Sequence, residues 1–145
     1  MRIHKSTLTI ALAFTLLTSA GAWPRSEDYI SVEQRAGDLA WISGGVGKDQ
    51  ADALLAVASR YNLRLILAEA RKPRAAFLCD VTVKISDAAG RTILETHAGP
   101  LLFVKLPAGR YVLSAETTGQ TITRSVLVKK KAQKVIALIW PESVG

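Results

Sequence analysis

DVTVKISDAAGRTIL, residues 80–94, alternates apolar and polar side chains, with Val81, Val83 and Ile85 on one parity before an Asp87 to Gly90 turn. A period of two marks a strand with one face buried. Working outward from it, the same period recurs in Arg91 to Thr96, Leu101 to Lys105, Arg110 to Thr117 and Gln120 to Val128. Turns at Pro107-Ala108-Gly109 and Thr118-Gly119 separate the last three. Leu63 to Ala68 precedes the set and Lys134 to Trp140 closes it. Seven strands joined by short turn signals predict a mainly β fold, a seven-stranded antiparallel sandwich of immunoglobulin or prealbumin type.

Upstream of Asn62 the period changes. Ala51, Leu54, Leu55, Ala58 and Tyr61 recur on one helical face, Asp49 and Asp52 occupy the first turn and Arg60 the last, so a helix is predicted over Lys48 to Tyr61. Asp38 to Ser43 reads as a short strand before it. Two strands, Leu63 to Leu67 and Val135 to Trp140, are apolar on both parities and should be covered on both faces. The helix is the available cover, packing Ala51, Leu54, Leu55 and Ala58 on the outside of the sheet that holds these strands, with Trp41 and Trp140 as its packing partners. Cys79 shares the parity of Phe77 and Val81, which predicts a buried small hydrophobe.

Residues 1–22 have a basic start, an apolar run from Leu8 to Leu17 and a small-residue end at Ala20-Gly21-Ala22, the pattern of a secretory signal peptide. Export to the periplasm follows as an expectation, the chain being soluble after cleavage near Ala22. Residues 23–37 read as a polar arm, 38–62 as a strand and helix lead-in, and 63–141 as the sandwich, with 38–141 one folded unit. Beyond the leader, 17 basic residues stand against 12 acidic ones, a formal +5. One cysteine excludes an internal disulfide and a thiolate metal site.

VKLPAGRY, residues 104–111, followed by VLSAET and the Gly119 turn, resembles the signature of carboxypeptidase regulatory-like domains and of the related Cna protein B-type and transthyretin-like sandwiches. DVTVKISDAAGRTIL matches their upstream strand and turn, and residues 39–141 as a whole look like small exported proteobacterial proteins of that description. The resemblance implies a fold and no particular activity. The isopeptide bond of Cna B-type domains is not expected, because the single asparagine, Asn62, precedes the first sandwich strand. The paired histidines of transthyretin-like hydroxyisourate hydrolases are missing as well, since His97 is the one histidine after the leader.

Ser43 to Lys48, SGGVGK, imitates a phosphate-binding loop, but Asp49 stands where a magnesium-binding Ser or Thr is needed and Ser43 where variant loops carry a second lysine. A glycine turn opening a helix is the better reading, and neither a cofactor nor nucleic acid is expected. His97 is the one available imidazole and sits in a turn; a small periplasmic hydrolase built on it is the less favoured reading. A carbohydrate-binding module, the other alternative, would need exposed aromatics from Trp23, Tyr29, Trp41, Phe77 and Phe103. Alternation of turns collects Arg71, Lys72, Arg74 and His97 at one end of the sandwich, and Asp87 to Arg91, Arg110 and Lys129, Lys130 and Lys131 at the other. Each end should then be net positive and suited to an envelope protein or an anionic envelope polymer. The resulting expectation is a non-catalytic exported binding or structural module of the bacterial cell envelope.

Overall fold

The computed structural model describes residues 32–142; the leader read over residues 1–22 and the arm up to residue 31 lie outside them. Among these residues ten strands form two facing sheets, accompanied by one helix and a single 3-10 turn. In chain order the elements are β1 (Gln34–Ala36), β2 (Leu39–Gly44), α1 (Lys48–Val57), β3 (Leu63–Glu69), β4 (Ala76–Phe77) and β5 (Val81–Asp87), then β6 (Thr92–Ala98), β7 (Leu101–Lys105), β8 (Gly109–Thr117), β9 (Gln120–Val128) and β10 (Lys134–Trp140). The six-stranded sheet runs β1-β2-β7-β3-β10 with β4 added to the far half of β3, and the four-stranded sheet runs β6-β5-β8-β9.

The strands alternate as the sequence predicts. Val81, Val83 and Ile85 of β5, Tyr111, Leu113 and Ala115 of β8, and Leu63, Leu65 and Leu67 of β3 meet in one core between the sheets. Two strands beyond the predicted set appear: β1 hairpins onto β2, with Gln34 opposite Trp41, and β4 pairs Phe77 with Ala68. The arm assigned to residues 23–37 therefore ends in a strand. The expected seven-stranded, wholly antiparallel sandwich is corrected to a mixed arrangement of six and four strands, because β10 runs parallel to β3 from Lys134 opposite Leu63 to Trp140 opposite Glu69. Parallel pairing is forced by the end at which the chain arrives: Lys134 N donates to Asn62 O where β3 itself begins.

The helix is shorter than predicted and is placed differently. Since β2 and β3 are each antiparallel to the β7 that lies between them, they run the same way, and their connection must recross the sheet face. Ten helical residues span about 15 Å, the run of a short strand, so α1 lies over β2 and β7. Leu54, Ala58 and Tyr61 pack there on Ile42 and Phe103 in a second apolar cluster. Leu55, assigned to the packing face, is 55% exposed. The apolar arc is narrower than the sequence suggests, and it turns away from Leu55.

Four further expectations are corrected. Trp41 and Trp140 pack in the core between the sheets rather than under the helix, because their strand parity points them inward. Phe103, counted among the available aromatics, is buried beneath α1. Cys79 is exposed. It lies in the break between β4 and β5, where Leu78 N donates to Leu67 O and resets the parity assumed from Phe77 to Val81. Among the described residues nothing covers the outer side of β10, where Val135 is 53% and Ile139 52% exposed, because the helix is committed to the other half of the sheet.

Candidate functional site

One end of the sandwich is organised by Asn62. Its amide donates to Leu106 O at 2.7 Å and to Lys129 O at 3.4 Å, and its oxygen accepts from Leu106 N at 2.9 Å. Asn62 thereby ties the corner after β7 to the turn after β9. Beside it, Tyr111 closes the Pro107 to Gly109 corner by donating from its hydroxyl to Pro107 O at 2.7 Å. Burial, and then the Asp87 charge, raise that phenol's pKa. The turn after β5 is held by Asp87, whose carboxylate accepts from Ala89 N and Arg91 N at 3.0 Å each and from Arg91 Nε at 3.2 Å. The Arg91 amide and, after it, the guanidinium charge hold Asp87 below its ordinary pKa.

Lys129, Lys130 and Lys131 follow β9 at this end, all exposed, and Arg110 opens β8 opposite Leu127. A groove of about 720 Å³ runs from Asp87 and Gly90 past Arg110 to Leu127. A second cleft, of about 500 Å³, is lined by Glu33, Arg35, Arg60, Tyr61 and Lys105. In it the buried Tyr61 hydroxyl donates to Glu33, which Arg35 also contacts at 2.7 Å. Burial first, and then the bond to Glu33, push the Tyr61 phenol up to about 12. The Tyr61 bond is also the leading cause that holds Glu33 below its ordinary value. Sequence reasoning missed this cleft. Glu33 and Tyr61 stand 28 residues apart, and only the β1–β2 hairpin and the end of the helical segment bring them together.

The described stretch carries sixteen basic and ten acidic residues. Ten of the basic ones lie at the Asn62 end: Arg35, Arg60, Arg64, Arg91, Lys105, Arg110, Lys129, Lys130, Lys131 and Lys134. Three acidic ones, Glu33, Asp38 and Asp87, accompany them. Everywhere else among the described residues six basic residues meet seven acidic ones.

The opposite end holds Arg71, Lys72, Arg74 and His97, but not as a free positive cluster, and His97 lies within β6 opposite Thr82 rather than in a turn, because the strand runs on to Ala98. Arg71 Nε sits 3.2 Å from Glu69 Oε1 and His97 Nδ1 sits 3.3 Å from Asp80 Oδ1. Strand ends bring these carboxylates in alongside the cations, so the expectation that both ends are net positive is replaced by one basic end. His97 and Asp80 are both largely exposed, and among the described residues no hydroxyl or thiol hydrogen-bonds to the imidazole.

Ser43, Gly45, Val46 and the Lys48 side chain of SGGVGK are engaged with their own chain. Gly45 N and Val46 N, the amides that would cradle a phosphate, both donate to Gln50 Oε1 at 2.8 Å. Gln50 thus reaches back past the N-cap, Gly47, which has no side-chain cap, to the two amides that precede it. Lys48 Nζ lies 2.6 Å from Asp52 Oδ2, and Ser43 Oγ bridges Leu101 O and Gly99 N. Gly45 has φ +96°, and a Cβ there would lie 3.0 Å from Leu101 Cγ, so the glycine is required by both its backbone angle and the strand packed against it. Of the aromatics proposed for carbohydrate, Trp23 and Tyr29 lie outside the described residues, Trp41 is partly buried and Phe77 is exposed. Among the described residues no cluster of three metal-ligating side chains occurs, and no helix is long and apolar enough to cross a membrane. No family model and no curated protein matches the chain.

Proposed function

We propose that this chain is a non-catalytic, exported module of the bacterial cell envelope that holds an anionic polymer or an acidic partner surface on its Asn62 end. The observation that carries the reading is the segregation of charge: ten basic against three acidic residues stand at that end, and the rest of the described stretch, six against seven, carries no positive excess. Clustered like charges on one face sum into a potential of several kT that attracts an oppositely charged partner and fixes its orientation. The Asn62 bonds and the Asp87 turn supply the rigid frame on which Arg110 and the three lysines stand. The two-sheet architecture is in keeping with the carboxypeptidase regulatory-like, prealbumin-type sandwich that residues 104–111 resemble, and the leader read over residues 1–22 gives the periplasmic location.

Binding to polyphosphate and to vesicles containing anionic lipid, measured against salt, tests the proposal. Changing Lys129, Lys130 and Lys131 together to Glu should weaken binding at least tenfold and flatten its salt dependence, whereas changing Arg71, Lys72 and Arg74 should do so by less than threefold. Equal losses from the two triple variants, or no binding by the unaltered protein to either polyanion at low salt, overturns it.

A further inference from the structure

We propose that β10 is a self-pairing edge through which two copies of this chain join antiparallel, centred on Ala137. Among the described residues, four strands besides the two-residue β4 stand at sheet edges. β1 has only three residues, Gln34–Ala36, all exposed. β6 is paired across a bulge at Ile85/Ser86 and carries Glu95 and His97. β9 presents Thr121, Thr123, Arg124 and Ser125. These are the devices by which sheet edges avoid pairing with other chains: shortness, irregularity and charge. β10 has none of them between Val135 and Ile139; its one lysine and its proline, Lys134 and Pro141, stand outside that span.

The hydrogen-bonding geometry then selects the partner. Lys134 N donates to Asn62 O, and Trp140 O accepts from Ala70 N, so the even-numbered residues of β10 turn their backbone groups toward β3. By strand alternation Val135, Ala137 and Ile139 turn theirs to the open edge. An antiparallel second copy of the same strand, in register at Ala137, places Ala137 opposite Ala137 and Val135 opposite Ile139 on both sides of the two-fold axis. All three pairs are of the mutually hydrogen-bonded kind, giving six backbone bonds. The same register joins the exposed Val135 and Ile139 side chains of the two copies into one apolar surface.

Charge agrees with that choice. Antiparallel pairing sends the two basic ends to opposite poles instead of abutting them, and sets the exposed Glu142 of one copy opposite Ala132 of the other, between Lys131 and Lys134. The contact is isologous and closes at two copies, because the edge is consumed on both sides.

Sedimentation equilibrium of the purified chain under reducing conditions, which keep the exposed Cys79 from forming a disulfide, is the test. The apparent mass should double with a midpoint at about micromolar concentration, as befits a small interface. Ala137→Pro removes an edge N–H that β3 does not use and should raise the midpoint at least tenfold while far-UV circular dichroism is kept; Ile139→Lys should do the same if the proline variant fails to fold. In a Cys79→Ser background, Ala137→Cys should cross-link to a dimer on mild oxidation, as an opposed pair about 5.5 Å apart allows. A chain that stays monomeric at about a hundredfold higher concentration overturns the proposal. So does a dimer indifferent to both edge variants, or an edge that captures a strand of a different protein while the chain itself remains monomeric.

Discussion

The two halves of the six-stranded sheet's outer face make an instructive pair. On β2 and β7, Ile42 and Phe103 point outward and are buried under Leu54, Ala58 and Tyr61. On β10, Val135 and Ile139 point outward on the same side of the same sheet and remain half exposed. Composition does not separate them, since both are apolar. Connectivity does: the link from β2 to β3 must cross β7, so the helix covers the half it crosses and leaves the other. A strand that is apolar on both parities therefore does not by itself show that a segment of the same chain covers both of its faces.

Substitutions on the two halves should therefore differ in cost. Phe103→Ala empties the cluster beneath the helix and removes the ring under Arg64, whose guanidinium lies 5.8 Å from it; a loss of about 3–5 kcal/mol is expected in urea unfolding. Leu54→Ala, on the helix side of the same contact, should cost about 2–4 kcal/mol. An effect below about 1 kcal/mol for either would mean that the helix is loosely docked. Gln50→Ala frees two amides at the helix start and should cost about 1 kcal/mol, with the loss visible in helical circular dichroism. Val135→Ser on the bare half should change monomer stability by less than about 0.5 kcal/mol, and a larger loss would show that β10 is covered within its own chain.

The smallest expected effect concerns pH. Asp87 has a folded pKa below its ordinary value, so its contribution is present above the unfolded pKa and is lost as pH falls through the folded one. Asp87→Asn should therefore reduce the acid-induced fall in stability, and unfolding curves for the two proteins should converge at low pH. A constant difference across the acid range would show that the Asp87 turn acts through its backbone shape alone.

Much of the fold is legible in the sequence. Alternation in Val81 to Ile85 and in Tyr111 to Ala115 exposes the buried parity directly, and the Pro107 to Gly109 corner announces the turn that Tyr111 closes. Less of the candidate site is legible. Arg110 and the three lysines can be assigned to one end by counting turns, but Glu33, Arg35, Arg60 and Lys105 come from three separate elements and meet only through strand register. The pairing of Arg71 with Glu69 and of His97 with Asp80, which cancels the second basic cluster, depends likewise on which loops adjoin. Cys79 shows the limit of parity itself, because one short break between β4 and β5 sends it to the surface.

By itself the sequence determined that the region after Asn62 is two layers of extended chain with a dry seam, because burial of alternate side chains is a local property that period reports. Tertiary structure alone decided that β10 runs parallel to β3, that the helix lies over β7 and that the surplus charge gathers at one end. Those outcomes depend on where distant segments enter the sheets, and no local pattern of side chains encodes the point of entry.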